Sequence, residues 1–190
     1  MRIENFIMHI KQTVPDLELD LQDLSRICKV KEIKPGEHIL KEGQICSSYY
    51  FLAKGALRIF INHDGREITN WFAFENYFFT ELESYNLRIP TKYIIEAIEE
   101  CEIILIERSD MEYLLSRNIS WQEYLRKNWE SAFIKLNEAM VSFQSKPAQE
   151  RYDELFAYPR LLQRTKQKDL SGMIGITPYS LSRIRKNKRR

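Results

Sequence analysis

The sequence predicts an α+β fold in which a strand-rich segment is followed by a helical one. Between Val30 and Glu107, four turn pairs that end in glycine occur at intervals of about seven to twelve residues: Pro35-Gly36, Glu42-Gly43, Lys54-Gly55 and Asp64-Gly65. Short apolar runs such as YYFLA, LRIFI and EIILI lie between or after these turns. Regularly spaced short strands with such turns are typical of an antiparallel sandwich or barrel.

Helical periodicity flanks this region on both sides. The opening runs NFIMHIKQTV and LELDLQDLSRI carry apolar residues at helical intervals and predict one or two short helices. After Ser109, no glycine occurs for more than sixty residues. DMEYLLSRN then predicts a short helix with Ser109 as its N-cap, and Asn118-Ile119-Ser120 separates it from a longer helix.

The longer helix is predicted from about Trp121 to Phe143, and Lys146-Pro147 ends it because proline disfavours helical geometry in the preceding residue. Its apolar residues have the 4-3-4-3-4 spacing of a helix that packs along a similar helix. Either a second copy of the chain or the chain's own sandwich could cover this face, and we expect self-association. The residues of this heptad seam are Leu125, Trp129, Ala132, Leu136, Ala139 and Phe143.

The charged residues are unevenly distributed along the chain. From Arg160 onward there are ten basic residues and one acidic residue, Asp169, a net charge of +9. The preceding 159 residues carry 19 basic and 26 acidic groups, a net charge of −7. An acidic body with a basic appendage is typical of a protein that binds a polyanion, although a solvated tail could have the same composition.

Within this basic segment, RYDELFAYP predicts a helix stopped by Pro159, and KQKDLSGMIG predicts a second helix closed by Gly175. A third helix is predicted to begin at Thr177-Pro178, because threonine is a good N-cap and proline is favoured at the first helical position. Two short helices joined by a tight, glycine-containing turn are typical of a helix-turn-helix.

The third helix has two predicted faces. At 100° per residue, one side carries Leu181, Ile184 and the stem of Lys188, which can cover Leu170 and Ile174 of the preceding helix. Cations and an arginine able to hydrogen-bond guanine line the opposite side. That outward stripe consists of Tyr179, Arg183, Lys186 and Arg190, flanked by Ser180 and Ser182.

Other classes of function lack support in the sequence. No apolar run approaches the ~18 residues of a membrane span, and the N-terminus does not resemble a signal peptide, so we expect a cytoplasmic protein without a membrane partner. The three cysteines and three histidines show no metal-site spacing, so we assign no metal. No phosphate loop, metal triad or nucleophile elbow is present, and we expect no catalytic residues and no enzyme activity.

The segments PGEHILKEGQ, YYFLAKGALRIFI, DGREI, FFTEL and GITPYSLSRIR resemble, in this order and across nearly the whole chain, the Crp–Fnr family of bacterial transcription regulators. The resemblance implies a cyclic-nucleotide-binding-like jelly roll in residues 1–118, a long dimerisation helix in 119–145 and a helix-turn-helix domain in 146–190. It also implies a homodimer on a roughly palindromic DNA operator, with RNA polymerase as a partner if the protein is an activator. The family usually adds strands that form a wing, and the short spacing here predicts a reduced or absent wing.

The resemblance also implies roles for individual residues. By similarity to the family's recognition helix, Tyr179, Ser180 and Arg183 would meet base edges. The phosphate-binding residues would be Thr177, Lys186, Arg189 and Arg190.

The nucleotide-binding cassette of the family is altered in this chain. Nucleotide-binding relatives have Gly-Glu-Leu and, ten residues after the Glu, an Arg that pairs with the cyclic phosphate. Here Thr80 replaces the glycine and Thr91 stands at the arginine position. Without the arginine fork the phosphate loses a bidentate, charge-assisted pair, so we expect no cyclic AMP binding and leave another small-molecule effector open. The degenerate pocket comprises Thr80, Glu81, Leu82, Arg88, Thr91 and Lys92, of which Arg88 and Lys92 are alternative phosphate ligands.

Together these features predict a DNA-binding transcription regulator. The alternative is a ligand-sensing or protein-interaction module whose basic C-terminal helix docks an acidic partner. Salt-dependent, sequence-selective binding to duplex DNA separates the two hypotheses, because a protein partner does not require duplex.

Overall fold

Within residues 2–188, which the computed structural model describes, eight antiparallel strands form two four-stranded sheets. Their orders are β1-β8-β3-β6 and β2-β7-β4-β5, so that consecutive strands alternate between the sheets as in a jelly roll, except for the hairpin of β4 and β5 within the second sheet. The strands are β1 Lys29–Ile33, β2 His38–Leu40, β3 Ser48–Lys54, β4 Ala56–His63, β5 Arg66–Phe74, β6 Tyr77–Phe79, β7 Tyr93–Ala97 and β8 Cys101–Glu107. The predicted α+β class and the antiparallel roll are confirmed.

Helices precede, interrupt and follow the roll. They are α1 Arg2–Thr13, α2 Leu21–Ile27, α3 Leu82–Leu87, α4 Arg108–Arg117, α5 Ile119–Ser145, α6 Ala148–Glu154, α7 Pro159–Arg164, α8 Gln167–Met173 and α9 Pro178–Lys188, with a 3-10 turn at Leu155–Ala157. Within residues 146–188, here called the C-terminal segment, the structure has helices and no strands, in agreement with the prediction of a reduced or absent wing.

An aromatic cluster joins α1 and α5 to the outer side of the first sheet. The ring of Phe6 lies 4.9 Å from Phe51, 5.8 Å from Phe78 and 6.4 Å from Tyr124, measured between centroids. Phe6, Phe51 and Tyr124 are fully buried. Burying each such side chain contributes roughly 1.5–3 kcal/mol, which holds the first turns of α5 on the roll.

The junction between α4 and α5 differs in one detail from the prediction. Asn118 ends α4 and caps α5, because its side chain accepts a hydrogen bond of 2.8 Å from the backbone N–H of Ser120. The expected N-cap Ser109 lies inside α4, which begins one residue earlier, after Glu107. The predicted cap was wrong because the chain passes directly from β8 into α4. Glu107, the last residue of β8, occupies the N-cap position in extended geometry, and its side chain makes no cap hydrogen bond.

A second apolar core lies between the C-terminal segment and the outer face of the second sheet. It contains one residue from β5, Phe72, which is 5% exposed. The other buried members are Tyr152, Leu155, Leu161, Leu170, Ile174 and Leu181. The C-terminal segment therefore shares its core with the roll.

Pro159 has a different role from the one predicted. The helix α6 already ends at Glu154, and Pro159 is the first residue of α7. Proline is tolerated there because its missing N–H would have had no intrahelical partner. The additional helix brings Leu161 into the second core.

The close approach of the β3–β4 connection to the start of β8 predicts a strong dependence of stability on Gly55. Its φ is +101°, and a Cβ atom there would lie 2.5 Å from Sγ of Cys101 and 2.6 Å from the carbonyl oxygen of Glu100. We expect Gly55→Ala to lower the free energy of unfolding in urea by more than ~3 kcal/mol through combined overpacking and backbone strain.

Gly43 is the matched control, because its φ is +81° but nothing lies within 4 Å of a Cβ atom. Gly43→Ala should cost only ~1–2 kcal/mol, the strain of a left-handed backbone with a side chain. Equal losses in the two variants would contradict the packing explanation.

Candidate nucleic-acid interface

The C-terminal segment contains a helix-turn-helix formed by α8, a tight turn and α9. Gly175 follows the C-cap Ile174 of α8 and adopts a φ of +70°. Its N–H donates to the carbonyl of Gly172 at 3.2 Å, and the N–H of Ile176 donates to that of Ser171 at 3.0 Å. These bonds close the end of α8 and turn the chain toward α9.

Thr177 is the N-cap of α9, as predicted. Its Oγ1 accepts a hydrogen bond of 3.1 Å from the N–H of Ser180 and lies 3.0 Å from the hydroxyl oxygen of Ser180. The predicted base-reading residue Ser180 is therefore half-buried and already engaged with the cap.

The two faces of α9 differ as the periodicity indicated. Leu181 is fully buried in the second core, and Ile184 packs against it. On the other side, Tyr179 is 78% exposed, and Arg183 and Lys186 are also exposed. Arg189 and Arg190, two of the expected phosphate ligands, lie outside the described residues.

Arg151 of α6 connects the turn to the end of α5. Its guanidinium donates to the carbonyl oxygen of Ile174 at 3.0 and 3.2 Å and to that of Lys146 at 2.7 Å. The guanidinium carbon also lies 4.9 Å from the ring centroid of Phe143. Sequence periodicity gave no signal for Arg151, because its partners are backbone carbonyls on two other elements.

Arg58 of β4 connects the second sheet to α8. It is only 4% exposed. Its Nε donates to Oγ1 of Thr69 at 2.9 Å, and its terminal nitrogens lie 2.9 Å from Glu67, 3.8 Å from Glu96 and 3.3 Å from Asp169 of α8. We call these five residues the docking cluster. Asp169 is the one acidic residue after Arg160. A single acid in a basic segment is the sequence feature from which its pairing with a buried cation could have been predicted.

A second group of charges lies at the same boundary. Arg164 of α7 donates to both carboxylate oxygens of Glu75, at 2.7 and 2.8 Å, and also to Glu99. Hydrogen bonding to Arg164 lowers the pKa of Glu75 from 4.5 to about 2. Arg160 and Arg164, which the sequence placed in a DNA-binding tail, therefore face carboxylates of the roll.

The altered nucleotide cassette uses its polar side chains within the fold. Thr80 is 8% exposed, donates to the carbonyl of Ser48 at 2.8 Å and lies 3.3 Å from Sγ of Cys46. The carboxylate of Glu81 caps α3 by accepting the N–H groups of Glu83 and Ser84 at 3.2 and 3.0 Å. Both residues are thereby committed to local contacts.

The remaining cassette residues make separate contacts or are exposed. Thr91 is 4% exposed, and its hydroxyl accepts the N–H of Tyr93 at 3.0 Å. Arg88 ends α3 in left-handed geometry with an exposed side chain, and Lys92 lies 3.8 Å from Glu83. Leu82 is 41% exposed.

The heptad seam divides into three parts. Leu125 and Trp129 pack against the core of the roll, and Phe143 lies against Gly175, within 3.0 Å of the position of a Cβ atom on that residue. Ala132 and Ala139 are half-buried. Leu136 is 63% exposed and is flanked by Phe133 at 63% and Met140 at 50%.

The comparisons with known proteins agree with this architecture. Residues 30–118, just under half of the chain, match the cyclic nucleotide-binding domain family. FixK2 from Bradyrhizobium japonicum matches with 19% identity and a TM-score of 0.70 over 85% of this chain and 84% of its own. The chain has the Crp–Fnr fold.

Two further structures show the same Crp–Fnr fold. A CooA mutant from Carboxydothermus hydrogenoformans has 11% identity and a TM-score of 0.73, covering 95% of this chain and 84% of CooA. A protein from Eubacterium rectale described as a transcriptional regulator of the Crp–Fnr family has 15% identity and a TM-score of 0.72, covering 90% and 84%. No curated protein sequence is significantly similar to this chain.

The described residues show neither a membrane-spanning helix nor a cluster of metal ligands. No helix in residues 2–188 is long and apolar enough to cross a membrane. In the same residues, no group of three or more histidine, cysteine or acidic side chains could hold a metal ion.

Proposed function

We propose that this chain is a dimeric, DNA-binding transcription regulator that places α9 in the major groove. The observation that carries the proposal is the exposed stripe of Tyr179, Arg183 and Lys186 on a helix whose opposite face is buried. Arg183 and Lys186 form no ion pair with another residue of the described range 2–188, so both cations are available to bind a polyanion. The Crp–Fnr fold and the net charge of +9 from Arg160 onward support the same assignment.

The residues of the stripe have separate roles in this proposal. Arg183 makes two hydrogen bonds to a guanine edge, and Tyr179 contacts a neighbouring base. Ser180 reaches the same groove with the hydroxyl that also meets Thr177. Phosphates are held by Thr177, Lys186, Arg189 and Arg190.

Dimerisation through α5 is the second part of the proposal. The exposed apolar residues Phe133, Leu136 and Met140 follow the 3-4 spacing of a helix that pairs with a copy of itself. In this proposal their burial against a second α5 sets the distance between two copies of α9 on a palindromic operator.

The third part of the proposal concerns the effector. The roll does not bind cyclic AMP in the way implied for nucleotide-binding relatives, because Thr91 stands at the arginine position and Glu81 caps α3. A buried cyclic phosphate would be left without its charge-assisted pair. A different small-molecule effector is compatible with these contacts.

The DNA-reading role predicts distinct effects at two positions of α9. Arg183→Ala should weaken binding to an operator selected from random duplex DNA by ~1–3 kcal/mol and relax the preference at one base pair. The control Lys186→Ala should weaken all duplexes alike and reduce the salt dependence of binding.

Fluorescence anisotropy with the operator, with scrambled duplex and with an acidic polypeptide checks this prediction at several salt concentrations. Equal loss of selectivity in the two variants would contradict the assigned reading face. Stronger binding to the polypeptide than to the operator would favour a protein-docking module instead.

The proposed dimer predicts a large effect of a charge at Leu136. Leu136→Lys should bury an unpaired ammonium against an apolar partner and raise the dimer dissociation constant at least ~30-fold, which corresponds to about 2 kcal/mol. Glu138→Gln makes the same change in net charge at an exposed position of α5 and should leave the constant unchanged. Sedimentation velocity measures both, and a wild-type monomer at micromolar concentration would exclude the dimer.

The altered cassette predicts the outcome of calorimetric titrations with cyclic AMP and cyclic GMP. Neither nucleotide should give saturable heat at micromolar concentration, because no arginine fork is present at position 91. Saturable micromolar binding that Glu81→Ala abolishes would show that the cassette is functional.

A further inference from the structure

The C-terminal segment lacks a closed core of its own. Of the seven buried residues in its apolar cluster, Phe72 comes from β5, and Phe74 and Ile98 of the roll pack against the same cluster. A unit of about forty residues rarely buries enough apolar surface to fold alone. The outer face of the second sheet therefore completes the apolar core of the C-terminal segment.

The contact between α8 and β5 is close as well as apolar. A Cβ atom on Gly172 would lie 3.5 Å from the backbone nitrogen of Thr69, so the helix backbone lies directly over the strand. The strand is shaped locally by a bulge, because Ile59 pairs with Trp71 whereas the next residue, Phe60, pairs with Thr69. The bulge lets Thr69 and Phe72 both face the C-terminal segment, which strict alternation along the strand would prevent.

The docking cluster defines one orientation of α8 on this surface. The guanidinium of Arg58 bonds Thr69 and Glu67 and lies near Glu96 of the sheet, and Asp169 from α8 adds a carboxylate 3.3 Å from its second terminal nitrogen. A buried arginine that loses one acceptor retains its desolvation cost. Rotation or sliding of α8 would therefore be opposed by an electrostatic penalty in addition to the loss of apolar contact.

We propose that the β4–β5 hairpin positions the DNA-reading helix through Arg58, Asp169 and Phe72. Because α8 is fixed on β5 and α9 packs on α8 through Leu181, the direction of the Arg183 stripe is set by the roll. Arg58 and Phe72 are positioning residues that touch no DNA. The inference rests on the proposed function for the claim that α9 reads DNA, whereas the orientation of α9 on the roll can be tested without DNA.

Substitution at Asp169 separates positioning from general electrostatics. Asp169→Asn raises the net charge by one, so attraction to DNA alone predicts equal or tighter binding. Positioning predicts the opposite, a loss of operator affinity of about tenfold, because Arg58 loses a charged acceptor. Glu150→Gln is the matched control, since Glu150 is an exposed acid of α6 in the same segment, and its affinity should equal or exceed that of the wild type.

The orientation of α9 is measured by pulsed electron paramagnetic resonance between spin labels on Glu42→Cys and Asn187→Cys, both exposed sites. The three native cysteines are buried and free, so labelling is directed to the introduced thiols. Diluting labelled chains in excess unlabelled protein isolates the distance within one chain. Asp169→Asn and Phe72→Ala should both broaden this distance distribution, whereas Glu150→Gln should leave it as narrow as in the wild type.

Phe72→Ala tests the positioning role independently of charge, because it leaves every charged residue in place and removes only the apolar contact. A narrow, unchanged distribution in both Asp169→Asn and Phe72→Ala would overturn the positioning role. If the distributions broaden as expected but the wild-type protein selects no operator, the positioning role stands and the DNA-binding proposal fails. Broadening together with tighter operator binding in Asp169→Asn would also overturn the inference.

Discussion

The arrangement of the whole chain depends on the burial of one guanidinium between two structural units. Arg58 leaves a central strand of the second sheet and is covered by α8, so its charge has almost no access to water. Such a charge is tolerated only when acceptors surround it, and here three carboxylates and a hydroxyl do so. Because one acceptor belongs to the C-terminal segment, docking of that segment completes the set of acceptors around the arginine.

The long helix α5 has two attachments and an unattached middle. Its first turns insert Trp121 and Tyr124 into the core of the roll, and its last turns bring Phe143 against Gly175 and Arg151. Apolar side chains between these attachments remain exposed. The helix is therefore anchored in the core of the roll at one end and contacts the C-terminal segment at the other.

Local chemistry was sufficient to predict the features that depend on neighbours in sequence. The Asp64-Gly65 hairpin, the Thr177 cap and the two faces of α9 follow from φ preferences, hydroxyl caps and periodicity. The cap at Ser109 and the helix stop at Pro159 were wrong because the adjoining strand and the second core determine those boundaries. The docking of Arg164 and Arg58 was missed because ion pairs across 89 or 111 positions leave no periodic signal. A basic count alone assigned Arg160 and Arg164 to a polyanion, although carboxylates of the roll face them.

The second core, which combines residues of the roll and of the C-terminal segment, also determines whether that segment can be replaced by the corresponding segment of another protein. A helix-turn-helix with a closed core of its own could fold independently of the rest of its chain and be exchanged as a unit. Here a graft would carry Leu170, Ile174 and Asp169 away from Phe72 and Arg58, leaving an apolar gap on one side and an uncompensated arginine on the other. The segment and the β4–β5 hairpin are therefore expected to change together, and a chimeric protein made from this chain would require the hairpin to be transferred along with the C-terminal segment.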